Sequence, residues 1–299
     1  MGGRAGKAIG FRSEKVRRFF ERIHTEGAAW IERRTMPVYA LNKKKIQQAH
    51  GTCVLLQVAD TGFLLSASHV LRRRDTHTLV VHPWESHEAL MLNGMTAHVS
   101  VDVKTVDVGF VRLPTEAFAT LSKAKTFLRL GDLELGSQQP PAGWYSIFGY
   151  PGALFESDLD ALEVTSTAFY YCNELREAPV REAVDGVTIA IKASTKNADA
   201  DGRISELPVP EGISGCGMWR MHVKGHNADD WSVASIRLAG VQHGVARDDE
   251  DRPRIFVGTM VHNLVAAIWQ QYPDMRAPIE LHMPTLRSRL KHDVRRTRF

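Results

Sequence analysis

The chain has 299 residues, of which 43% are hydrophobic, 8% aromatic and 24% charged. That is enough apolar material for one large core or two small ones, while no apolar run is long enough to cross a bilayer; a soluble globular protein is expected, with no membrane partner. The net charge of +4 and pI of about 9.0 owe much to basic residues at the two ends, from Arg4 to Arg18 and from Arg287 to Arg298; these read as solvated tails, and no nucleic-acid partner is expected.

The N-terminus is basic but lacks the apolar run and cleavage site of a secretory signal. Cys53, Cys172 and Cys216 are odd in number and scattered, which fits a reducing, cytoplasmic setting rather than a disulfide framework. Val16, Phe19, Phe20 and Ile23 recur at helical spacing behind Ser13 as N-cap, with Glu14 in the first turn. The spacing predicts an amphipathic helix from about residue 13 towards Arg34, weakened at Gly27, packed on the main domain or offered to a partner protein.

After Pro37 the pattern changes to short β-type runs bounded by turn residues: 38–41, 52–58, 63–66, 78–81, 97–101 and 108–113, then 144–148, 162–171, 187–192, 217–221, 232–241 and 255–257. Residues 114–141, with Gly131, Gly136, Pro140 and Pro141, read as the connector between the two sets. Residues 197–206 read as a mobile loop, and Met260, Leu264, Val265, Ile268 and Trp269 as the stripe of a closing helix. Beyond Pro273 a basic tail has little to bury. The expected division is a basic segment and helix (1–35), a main domain (36–271) and a tail (272–299).

Three segments carry chemistry. Gly212-Ile213-Ser214-Gly215 places a Ser on a tight turn, where glycines allow positive φ and close backbone approach. Residues 62–71 form an apolar run leading to a small-residue turn that carries His69, and Asp107 heads the apolar run 108–113. Together they resemble the signature segments of the trypsin-like, chymotrypsin-fold serine proteases, in that family's order of His, Asp and Ser, over about residues 36–271. The turn Gly149-Tyr150-Pro151-Gly152 is similar to turns in the bacterial high-temperature-requirement branch, which suits an intracellular bacterial-type member.

The resemblance implies an all-β fold of two antiparallel six-stranded β-barrels, at about 36–130 and 131–258, with a closing helix at 259–271. It implies a serine endopeptidase acting on a protein or peptide substrate. Ser214 would be the nucleophile, His69 the base and Asp107, preferred over Asp102, the acid that orients it; the N–H groups of Gly212 and Ser214 would form the oxyanion hole. Pro208, six residues before the nucleophile, would line the specificity pocket, and it offers no carboxylate to pair with Lys or Arg. Val241, Gln242, His243 and Gly244 would bind substrate backbone as an added strand, Gln242 standing where the family has a Ser that supports the acid. Ile213 stands where secreted zymogens carry an Asp that pairs with a new N-terminus, so activation by that route is not expected. His82, His87 and His98 show no compact spacing with other ligands, and neither metal nor cofactor is expected. The competing reading is a catalytically silent member serving as a protein-binding module.

Overall fold

The computed structural model describes residues 14–42, 47–83, 89–99, 106–136, 139, 141, 143–158, 163–174, 184–193, 196–198, 204–206, 210–222 and 231–286. Helix α1 (Glu14–Arg22) runs through a wide π turn (Ile23–Gly27) into α2 (Ala28–Glu32). The first set of strands follows as β1 (Thr35–Leu41), β2 (Gln47–Val58), β3 (Thr61–Ser66), the short helix α3 (Ser68–Arg72), β4 (Thr78–Val81), β5 (Leu90–Met91), β6 (Ala97–Val99) and β7 (Gly109–Arg112). Helix α4 (Thr115–Ala124) leads to β8 (Trp144–Gly149), the hairpin of β9 (Phe155–Asp158) and β10 (Glu163–Ser166), β11 (Phe169–Glu174) and β12 (Thr188–Lys192). A second hairpin, β13 (Lys196–Ala198) and β14 (Ile204–Glu206), precedes β15 (Gly217–Arg220), β16 (Arg237–Arg247), β17 (Pro253–Met260), α5 (Val261–Gln271) and α6 (Arg276–His282).

All the strand pairs are antiparallel. One sheet has seven strands in the order β5-β4-β1-β2-β3-β7-β6, the other six in the order β11-β8-β15-β16-β17-β12. This is the double β-barrel architecture of the chymotrypsin-like fold. The first sheet exceeds the expected six strands by β5, which is only two residues long and so carries no readable pattern.

The strands at the centre are buried on both faces, which explains their continuous apolar runs. Along β2, Cys53 and Leu55 point into the first barrel while Val54 and Leu56 point into a core shared by both sheets and the helices. Along β15, Met218 fills the second barrel while Trp219 enters the shared core. Phe19, Ile23 and Ile31 enter the same shared core and are fully buried. The apolar face of the N-terminal helix is therefore occupied within the chain. Its outer face carries ion pairs such as Arg17 with Glu14 and Glu21, so of the two expected uses of the helix, packing on the main domain is the one that takes up its apolar face.

Three local expectations change. The connector holds α4, whose Ala117 and Leu121 are buried one turn apart. Of residues 197–206, expected as a loop, the described ones, 197–198 and 204–206, lie in the paired strands β13 and β14, where Lys196 pairs with Glu206. The tail begins later than residue 272: Met275, Ile279, Met283 and Leu286 are buried in the shared core at intervals of three and four, enough to hold α6 against the body.

Candidate active site

The first sheet carries His69 and Asp107, the expected base and acid. Strand β3 ends at Ser66, opposite Gly109 of β7, so the turn leaving β3 and the segment entering β7 lie side by side. That register brings His69 against Asp107. The His69 backbone N–H donates to Asp107 Oδ1 at 3.0 Å, and His69 Nδ1 lies 2.6 Å from Asp107 Oδ2. With Nδ1–H donating to the carboxylate, Nε2 is the nitrogen left to accept a proton. The Asp107 side chain is 8% exposed and that of His69 45%. Burial pushes the Asp107 carboxyl up, but the hydrogen bonds and charge of His69 outweigh it and hold Asp107 below the ordinary carboxylate range. Asp102 lies outside the described residues.

The second sheet delivers the turn before β15. Gly212 has φ +95° and Gly215 φ +91°, values that a side chain would strain. Space excludes one as well: a Cβ on Gly212 would stand 2.7 Å from the Gly152 nitrogen, and one on Gly215 would overlap Ser66 Oγ and the Thr52 carbonyl.

Each peptide plane of the turn is tethered on its carbonyl side. Glu211 O accepts from Gly152 N–H at 2.7 Å, Gly212 O from the Thr52 hydroxyl at 3.2 Å, Ile213 O from Cys216 N–H at 2.9 Å, and Ser214 O from Thr52 N–H at 2.8 Å. Since carbonyl and N–H point opposite ways in a trans peptide, these tethers aim the N–H groups of Gly212 and Ser214 away from the body. The Ile213 N–H is taken by Pro210 O and the Gly215 N–H by Gln242 O. Among the described residues, neither the Gly212 nor the Ser214 N–H donates a hydrogen bond, and none joins Ser214 Oγ to His69. Two undonated N–H groups beside one hydroxyl can receive a carbonyl oxygen that is gaining negative charge.

The other expected site residues are placed unevenly. Pro208 lies outside the described residues. The Val241 side chain is buried in the shared core and its backbone is paired with both β15 and β17. Gln242 gives its carbonyl to Gly215 and its N–H to Cys216 O, and its side chain turns back to Gly244 O at 2.8 Å. A β-bulge between Gln242 and Gly244 sets His243 out of the ladder, and the His243 charge favours the ionised form of Asp107. Burial pushes the His243 imidazole below its ordinary value, Asp107 working against that and His69 with it. The ladder of β16 with β15 ends at Val241 opposite Gly217, so Gln242, His243 and Gly244 lie beyond it.

Ile213 is buried inside the second barrel, where an ammonium would have no partner. Cys216 is also buried there, its thiol pushed far up by burial, so it is no nucleophile. Among the described residues no group of three or more His, Cys, Asp or Glu side chains is placed to hold a metal ion. Nor is any of their helices long and apolar enough to cross a membrane.

Thr52 has no counterpart in the sequence reading. It sits in an ordinary β run with no motif around it, and only the fold brings it to the nucleophile turn.

No protein-family model matches the chain, and no curated protein matches its sequence. Solved structures similar to it include HL collagenase, with 15% identity, TM-score 0.45, and coverage of 79% of this chain and 92% of that one. A second belongs to work on coupled folding and binding of the Sesbania mosaic virus VPg protein, with 13% identity, TM-score 0.41, and coverage of 76% and 87%. A third is a serine-to-alanine variant of the HtrA-type protease AlgW with a decapeptide, at 11% identity, TM-score 0.44, and coverage of 84% and 67%.

Proposed function

We propose that this protein is a serine endopeptidase that cleaves a protein or peptide substrate. Ser214 attacks the scissile carbonyl; His69 takes its proton and passes it to the leaving amine; Asp107 holds the imidazole in the required tautomer and stabilises its charged form. The developing oxyanion is received by the N–H groups of Gly212 and Ser214. The observation that carries this reading is the pairing of a buried, ionised Asp107 with His69 at 2.6 Å, next to a turn whose two outward N–H groups have no partner among the described residues. The cytoplasmic setting belongs to the same reading and rests on three free cysteines.

The rival reading, a silent binding module, is favoured by one observation: Ser214 Oγ and His69 are not hydrogen-bonded to each other. Catalytic hydrogen bonds are often long before substrate arrives, so this geometry does not exclude chemistry.

The test is labelling with a fluorophosphonate, which reports an activated Ser, followed by peptide turnover in Ser214→Ala. The expected result is labelling of wild type, none of the variant, and a loss in turnover on the order of a million-fold. Unlabelled, folded wild-type protein would establish the binding module instead.

A further inference from the structure

We infer that Thr52 is a positioning residue that holds the nucleophile turn in its receptive shape and sets its distance from His69; this rests on the peptidase reading. Thr52 is fully buried and belongs to β2, whose neighbour β3 runs directly into the His69 turn. From that position it makes three contacts across to the second sheet. Its N–H donates to Ser214 O at 2.8 Å, its hydroxyl donates to Gly212 O at 3.2 Å, and the same hydroxyl accepts the Tyr150 N–H at 3.1 Å. Its own carbonyl accepts from Ser66 Oγ at 2.7 Å and lies against Gly215, where a side chain would overlap it.

Of the four peptide planes in the turn, Thr52 tethers two, those on either side of the plane that presents the Ser214 N–H. The hydroxyl bond is the only one described that holds the Gly212 carbonyl. Without it, rotation of that plane would turn the adjacent N–H groups out of register with each other. The Tyr150 contact ties in the turn that also holds the Glu211 carbonyl through Gly152, and hence the Gly212 N–H. One hydroxyl thus acts on both oxyanion donors. Since Thr52 and His69 hang from adjacent strands, the tether also fixes the base relative to the nucleophile.

Thr52→Val keeps the shape and the backbone bond to Ser214 O and removes only the hydroxyl. With a peptide substrate, kcat should fall about tenfold to a hundredfold, less than the loss of an oxyanion donor outright, with KM within about threefold. Thr52→Ser restores the hydroxyl and should return kcat to within about threefold of wild type. Amide exchange at Ile213, Gly215 and Cys216 should quicken by at least about tenfold in Thr52→Val, and this reading needs no activity. If Thr52→Val does not fold, Thr52→Cys, similar in size and a weak donor, should show an intermediate loss of kcat and intermediate exchange.

Folded variants with wild-type kcat and exchange would overturn the inference, as would a Thr52→Ser protein as slow as Thr52→Val. Wild type that neither labels nor turns over peptide overturns the peptidase reading, and the exchange result then decides the tether by itself.

Discussion

His69 and Asp107 hang from the first sheet and satisfy each other through two hydrogen bonds, whereas the Gly212–Gly215 turn hangs from the second and leaves its outward N–H groups undonated among the described residues. The first arrangement is held by its own side chains. The second is held from outside, by Thr52, Gly152 and Gln242 gripping its carbonyls and inner N–H groups. The difference is what the proposed peptidase needs: an acid and base are useful when their mutual geometry is fixed, but an oxyanion site is useful only while its donors remain free, so its rigidity has to be supplied by other residues.

The sharpest way to break the comparison is to cut the self-held half. Asp107→Asn keeps the shape but offers a donor where His69 needs an acceptor. Turnover should fall about ten-thousand-fold through the wrong imidazole tautomer, with the melting temperature far less affected. A loss below tenfold in peptide turnover would mean that His69 does not depend on Asp107 for its orientation.

A second test moves stability without touching either half. Phe19 is fully buried in the shared core, so Phe19→Ala should cost about 3 to 5 kcal/mol by denaturant unfolding. Labelling per folded molecule should stay unchanged. A drop in labelling that exceeds the unfolded fraction would mean that the N-terminal helix acts on the site as well as on the core.

The smallest effect is a pH dependence at the seam between helix and first sheet. Lys125 is buried and its ammonium donates to the carbonyls of Glu32 and Thr35, both at 3.2 Å; burial pulls it down to about 8. Its folded value is below its unfolded one, so the unfolded chain binds the extra proton and the burial cost is present at low pH and relieved as pH rises from about 8 towards 10.5. Unfolding of wild type and Lys125→Met should therefore diverge in favour of wild type across that window. The comparison with the variant is needed because Cys53 and Cys216, buried and raised in the fold, oppose the trend above their ordinary range. A constant difference across the window would show that the ammonium is not the titrating group.

Much of the fold and part of the site are legible in one dimension. The runs around Leu55, Leu64 and Ile147 announce strands because both of their faces are buried, and the glycines at 212 and 215 announce a turn because only glycine tolerates its φ and its crowding. His69 and Asp107 are readable because each stands at the edge of such a run. The β-bulge between Gln242 and Gly244 is not legible, because the extra residue shifts the register without leaving a local pattern. Met275, Ile279, Met283 and Leu286 are hidden among prolines and basic residues, so their helical spacing is plain only when the core they fill is present.

The amino-acid sequence alone determined the strand pattern and the sharp turn at Ser214, because alternation and turn chemistry are local properties; the candidate acid, base and nucleophile came from the resemblance of three such segments to the trypsin-like pattern. Only the tertiary structure decided that the N-terminal helix is a core element, that a β-bulge sets His243 out of the ladder, and that Thr52 holds the Gly212–Gly215 turn. Those depend on register and on contacts such as Thr52 with Gly212, which stand 160 residues apart in the chain, and no local pattern encodes a hydrogen bond over that separation.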